Sequence, residues 1–290
     1  MGKISTRLAT RLRGFRNRRV AYPGTFAKVV QQTRDLQDSV RDIKELVNEG
    51  LDPLHAAYAS TQNLLSLFAE TVSELPEFRE YYDVVGSAED EYLPEGPPTS
   101  PLTGSYFTAW AFFDLQFGED KETIGSCLLD VSKYLHLSAE MIEMVILMQN
   151  SRMGIYEHCG INNSQVVLRE FVSEEEFCCD VPAGYLGEKG QLWFVRILPQ
   201  LKYLCEYNVI CTTPYVLMND AKVDWLAFIN RTLPKMKIFN REDALHNLMK
   251  YGPEPNYWHE YIFQAYHHHQ YDAIFLAGFP DIKESRPHAY

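Results

Sequence analysis

At 290 residues the chain is long enough to bury roughly three-quarters of the surface its unfolded form exposes, so a core needs no disulfide or metal staple. Its formal net charge of −12, from 27 bases and 39 acids, repels nucleic acid and anionic membrane over most of the surface. Residues 1–20 are the exception. They hold Lys3, Arg7, Arg11, Arg13, Arg16, Arg18 and Arg19 and no acid, which leaves 20 bases against 39 acids, net −19, for residues 21–290.

Ile4, Leu8, Leu12 and Phe15 follow helical spacing inside this basic segment. It reads as an arm over residues 1–24, closed by the turn signal Tyr22–Pro23–Gly24, with Arg7, Arg11, Arg13, Arg16, Arg18 and Arg19 available to an anionic surface or an acidic partner. As an arm, it is expected to add little to thermal stability.

Residues 25–84 carry a three-four apolar spacing. Phe26, Val29, Thr33, Leu36, Val40, Ile43 and Val47 form its first half, and Leu54, Tyr58, Thr61, Leu65, Phe68, Val72 and Leu75 its second. That step keeps one seam of a helix against a partner helix. Gly50 fits a helix end, and Asp52–Pro53 fits an N-cap and first turn, so the pattern predicts an antiparallel helical hairpin. Thr33 and Thr61 at seam positions favour a seam consumed inside a monomer over one shared between chains.

Residues 85–103, with Glu89–Asp90–Glu91 and four prolines, read as a linker. Residues 104–290 read as an α+β domain. The aromatic stretch Tyr106 to Phe117 belongs in its core as helix or buried strand. Ile124, Cys127, Leu128, Val131 and Leu135 mark one helix, and Ser138 caps another through Met148. Five short runs follow, Met153 to Cys159, Val166 to Phe171, Glu176 to Val181, Leu192 to Leu198 and Tyr207 to Thr213, rich in β-branched and aromatic residues and punctuated by turns. They predict an antiparallel meander of about five strands, a curled sheet or a small open barrel, packed with C-terminal helices near 221–232, 241–250 and 256–271.

Polar residues concentrate near the C-terminal end. His259–Glu260 resembles the start of a zincin helix, but Phe263 stands where the second histidine belongs. His268 and Asp272, four apart on a helix, would share a face and could hold a metal or orient one another. His259, Glu260, His268 and Asp272 are therefore the candidate catalytic set, with His268 and Asp272 the candidate metal ligands. Gly184-x-x-Gly187-x-x-Gly190 runs into an aromatic strand rather than a helix, so it reads as a hairpin connection and not a phosphate loop. Glu157, His158, Arg169, Glu170, Asp180 and Arg196 could line one sheet face as a groove. No Walker loop, dinucleotide fingerprint or nucleophile elbow occurs, and no cofactor is expected.

The six cysteines have irregular spacing and no C-x-x-C, which reads as reduced thiols in the cytoplasm. No run approaches the ~20 apolar residues of a membrane span, and scattered arginines exclude a secretory signal from residues 1–20. The sequence thus points to a cytoplasmic interaction or scaffold protein using the helical seam, the basic arm or a sheet groove. A metal-dependent hydrolase built on the His/Glu/Asp set is the alternative.

Overall fold

The computed structural model describes residues 1–17, 52–94, 100–218 and 222–280. The chain divides into two compact units: residues 1–87, 110–150 and 203–205, and residues 88–109, 151–202 and 206–290.

The first unit is helical. The opening segment is no free arm but a helix, α1 (Lys3–Asn17), with Ile4, Leu8, Ala9 and Leu12 buried. It packs on α5 (Ile124–Leu135). The spacing that suggested an amphipathic helix was sound; its apolar stripe faces the protein's own core. A carboxylate secures its start. Glu122, itself buried, accepts from the backbone N–H of Ile4 and of Ser5, each at 2.9 Å, and from the Ser5 hydroxyl. Asp120 accepts from the Lys3 N–H at 2.7 Å. Unsatisfied donors and the positive end of the helix dipole thus meet two acids.

Of the heptad pattern, only the second half lies in the described residues. The first half, Gly50 and Thr33 included, lies outside them. The second half is α2 (Pro53–Val72), and its Asp52 cap and leading proline are as the sequence indicated, with Asp52 Oδ1 accepting from His55 N–H at 2.7 Å. Leu54, Tyr58, Thr61, Leu65, Phe68 and Val72 are all buried. They pack on α5 and on α6 (Ala139–Asn150), so this half of the seam is consumed within the chain. Thr61 is tolerated there because its hydroxyl donates back to the Ala57 carbonyl at 3.0 Å.

After a 3-10 turn at Pro76–Phe78, α3 runs over Arg79–Tyr92. The three acids read as linker are its last turns. Residues 95–99, which hold Pro97, Pro98 and Gly96, lie outside the described residues. The aromatic stretch is α4 (Gly104–Phe113), with Tyr106, Phe107, Phe112 and Phe113 buried.

The second unit is built on an eight-stranded sheet in the order β1-β2-β3-β5-β4-β6-β8-β7. The strands are β1 (Met153–Asn162), β2 (Gln165–Glu170), β3 (Glu176–Asp180), β4 (Leu192–Leu198), β5 (Asn208–Ile210), β6 (Tyr215–Leu217), β7 (Tyr266–Gln270) and β8 (Ala273–Leu276). An additional β1–β4 pairing closes the five strands β1, β2, β3, β5 and β4 into a barrel. The sheet is not an antiparallel meander: β3 runs parallel to β5, and β6 parallel to β8.

Closure needs β1 to bend, and a bulge between His158 and Gly160 supplies it, with Gly160 at φ +142°. Val166, Leu168, Cys179, Trp193, Val195, Ile197 and Ile210 fill the interior. Cys179 is buried and Cys178 half-buried, as neighbours on a strand alternate. On the other face of β4, Phe194 packs against Trp258 and Tyr261 of α9 (Tyr257–Ala265). Helices α7 (Lys222–Thr232) and α8 (Arg241–Tyr251) complete the unit, with Trp225 on Tyr261 and the Trp258 indole donating to the Leu248 carbonyl at 2.9 Å.

The glycine loop joins β3 to β4, which are not neighbours, so it is a crossover lid and not a hairpin turn. Gln191 organises it: its Oε1 accepts from the Glu188 N–H and the Trp193 indole, both at 3.1 Å, and lies 3.3 Å from the Tyr185 hydroxyl. Gly187 sits directly on Trp193. At φ +62° a Cβ there would lie 2.3 Å from Trp193 Cζ2. Gly187→Ala is expected to cost about 1–3 kcal/mol, read as a lower urea midpoint; an unchanged midpoint would show that the loop yields freely.

Candidate functional site

Helix α9 carries His259 and Glu260, and the last turn of α3 brings Tyr92 to both. The Tyr92 hydroxyl donates to Glu260 Oε1, and Gln264 donates to Glu260 Oε2 at 2.7 Å. Burial first, and then the Glu260 carboxylate, push the Tyr92 phenol well above its ordinary range. That phenol holds its proton at every physiological pH.

The imidazole of His259 lies in a cage of rings: Tyr92 at 5.3 Å, Tyr106 at 5.6 Å and Phe107 at 5.9 Å between centroids. It is 1% exposed, and burial pushes its pKa down to about 3. Among aromatic faces the imidazole is favoured in its neutral form, because a proton taken there loses its hydration.

His268 and Asp272 belong to a different element from the one the sequence suggested. Helix α9 stops at Ala265, and Tyr266–Gln270 is strand β7, so the i, i+4 helical face does not exist. Gln270 pairs with Ala273, leaving Tyr271 and Asp272 as a two-residue turn with Tyr271 at φ +54°. His268 stacks flat on Phe275 of β8, 4.7 Å between centroids and 8° between planes. Asp272 points its Oδ2 toward Gly184 of the glycine loop. The structure therefore joins His259 to Glu260 through Tyr92 and places His268 and Asp272 on the β7–β8 hairpin. Among the described residues, no group of three or more His, Cys, Asp or Glu side chains is arranged to hold a metal ion.

The proposed charged sheet face also separates into two sides. Glu157 points outward, between Arg169 at 3.0 Å and Lys222. His158, Glu170 and Arg196 are buried. His158 enters the barrel beneath the glycine loop, its ring 5.2 Å from Trp193, with Nε2 donating to the Leu186 carbonyl at 2.9 Å. Alternation along β1 already separates Glu157 from His158, and it is the signal that would have shown this.

On α1 the bases leave the core by both flanks. Arg11 pairs with Glu77 at 2.8 Å and Lys3 with Glu119, while Arg7 is exposed. Arg13 Nε donates to the Tyr134 hydroxyl at 2.6 Å, and its guanidinium lies 5.5 Å from the Tyr134 ring centre. Lys133 covers the same ring at 5.2 Å. The side chain of Arg16, and Arg18 and Arg19 altogether, lie outside the described residues. Two cations on one tyrosine form a local positive patch on an acidic protein.

No family model, curated protein or solved structure matches this chain. Among the described residues, no helix is long and apolar enough to cross a membrane.

Proposed function

We propose that the protein works by contact rather than by catalysis, as a cytoplasmic interaction or scaffold protein whose basic flanks on α1 dock an acidic partner. One observation carries this reading. The side chains best suited to chemistry are used inside the fold, whereas α1 spends its apolar stripe on the core and turns Arg7, Arg13 and, through α5, Lys133 to solvent. An arginine presents a planar fork that matches a carboxylate, and the tyrosine between Arg13 and Lys133 holds both cations in place. A metal-dependent hydrolase using His259, Glu260, His268 and Asp272 is the weaker reading, because His259 is sealed and Glu260 is engaged by Tyr92 and Gln264.

Binding of a fluorescein-labelled deca-glutamate peptide, followed by anisotropy at low salt, tests it. The triple variant Arg7→Glu/Arg13→Glu/Lys133→Glu is expected to bind about tenfold or more weakly with an unchanged melting temperature. Equal binding by the variant, or none by the wild type, would overturn the docking surface. Stoichiometric zinc, manganese or iron in protein purified without a tag, lost in His268→Ala, would favour the hydrolase.

A further inference from the structure

His158 is built as a latch. It lies on the inward side of β1, 1% exposed, two residues from Tyr156 in the barrel core. Since a carbonyl only accepts, the 2.9 Å contact between Nε2 and Leu186 O assigns the proton to Nε2. Nδ1 is then a buried acceptor, and it has no hydrogen-bond partner among the described residues. The backbone of the same residue holds the far end of the loop: the Gly190 N–H donates to His158 O at 2.8 Å, and the His158 N–H donates to Gln191 O at 2.9 Å. One residue thus fastens the loop at 186, 190 and 191, and only the first fastening depends on a titrating side chain.

Beneath the loop lie aromatic rings. Tyr185 packs on Trp193 at 5.5 Å and on Phe275 at 6.2 Å, and Trp193 is fully buried. The loop itself is glycine-rich and largely open to solvent, with Glu188, Lys189 and Gln191 its charged and amide side chains. Leu186 is 41% exposed, and Gly184, Gly187 and Gly190 all adopt positive φ. An exposed tip and several permissive backbone positions mark a segment able to open locally, with Ala183 and Tyr185 as its apolar anchors.

We propose that residues 182–191 form a proton-released lid: protonation of His158 puts a charge beneath the loop, and although Nε2–H still donates to Leu186 O, hydrating that charge lifts the loop off the aromatic end of the barrel. A second proton on the ring goes to Nδ1, which has no hydrogen-bond partner among the described residues in the closed state, and the resulting cation is held out of water between Trp193 and the barrel core. Lifting the loop rehydrates it. Its neighbours offer no compensation. On β1, Glu157 points to the other face, toward Arg169 and Lys222. On β2, the paired residue is Leu168. On β4 the contact is Trp193. In the loop, Glu188 and Lys189 are exposed, and on the β7–β8 turn Asp272 faces Gly184. Burial lowers the pKa of His158 in the closed state, against the opposing pull of the Leu186 carbonyl and of its own backbone. Closure is therefore fully favoured above the ordinary histidine value of about 6.5 and is lost as pH falls from there through the lowered value. Within that window, each unit of pH shifts the equilibrium toward the open lid by up to about tenfold.

Hydrogen exchange followed by mass spectrometry at pH 7.5 and pH 5.5, corrected for intrinsic rates, tests the lid in the full chain. Peptides covering 182–191 are expected to lose protection at pH 5.5, by up to about tenfold, while those covering β4 keep theirs. His158→Gln, which retains a donor for Leu186 O and does not titrate, is expected to hold the lid closed at both values; Asp272→Asn is expected to behave as wild type. In the wild-type protein, the titration of the His158 ring protons seen by NMR should share its midpoint with lid opening, and this holds the proposal to account if the glutamine variant fails to fold. Equal protection at the two values, an acid response that survives in His158→Gln or vanishes in Asp272→Asn, or loss of β4 protection together with the loop's would each overturn it.

Discussion

Deleting residues 1–17 is expected to remove most of the stability of the helical unit. Ile4, Leu8 and Leu12 are each at most 8% exposed, and burying an aliphatic side chain of that size contributes about 1.5–3 kcal/mol. Three of them together rival a large share of the ~5–15 kcal/mol that holds a typical domain. The remaining surface of α5 would be left as an exposed apolar groove. Urea unfolding monitored by helical circular dichroism checks this, and an unchanged midpoint would show that α1 is a detachable appendage. A point substitution isolates the start of the helix. Glu122→Ala leaves the N–H groups of Ile4 and Ser5 and the Ser5 hydroxyl without their acceptor, in a buried setting, at an expected cost of about 2–3 kcal/mol. Glu122→Gln keeps one carbonyl acceptor and is expected to cost less.

Acid is expected to destabilise the protein well above the range in which carboxylates titrate, with His259 responsible for much of it. Burial holds its folded pKa near 3, against about 6.5 when unfolded. The folded value is the lower one, so the unfolded chain takes up the proton first. Stability is complete above pH 6.5 and falls steadily as the pH drops toward 3. At pH 5 the loss from this residue alone is about 2 kcal/mol. His246 acts in the same window: burial, then the fields of Lys250 and Arg152, push it down to about 4. His259→Phe keeps a ring among Tyr92, Tyr106 and Phe107 and does not titrate. Its stability measured by urea between pH 4 and 7 is expected to fall with a slope smaller by close to one proton. A wild-type slope in that variant would show that the cage admits the charged ring.

Much of the fold was legible because it rests on local signals. The bounds Leu192 to Leu198 of β4 and the Asp52–Pro53 start of α2 could be read to the residue, since an unbroken apolar run and an N-cap are short-range features. The misreadings share a cause. Tyr266–Gln270 follows α9 with no glycine or proline to break the helix, and only pairing with β8, itself laid parallel to β6, turns it into a strand. Glu89 to Glu91 look like a linker beside their prolines, yet Ala88 and the two glutamates are good helix formers and α3 runs on to Tyr92, just short of Pro94. The run Tyr207 to Thr213 contributes only three residues to the ladder. At the site, His259 and Glu260 were found by their types, but Tyr92 was not. It reaches Glu260 from 168 residues away, and no periodicity in either segment records that meeting.

Strand β4 pairs with three strands, with β1 along Leu192–Arg196, with β6 along Leu192–Phe194 and with β5 at Ile197–Leu198. Its place in the chain gives the order of assembly during synthesis. The barrel can close once β5 has been made, whereas β6 then waits for β8, with residues 218–272 still to come. At ~5–20 residues per second that interval is about 3–11 s, during which β6 presents an unpaired apolar edge. Tyr215, Val216 and Leu217 are all buried in the finished protein. A newborn chain halted in this interval would carry a complete barrel and a sticky border, a form that invites pairing with its neighbours on the same message.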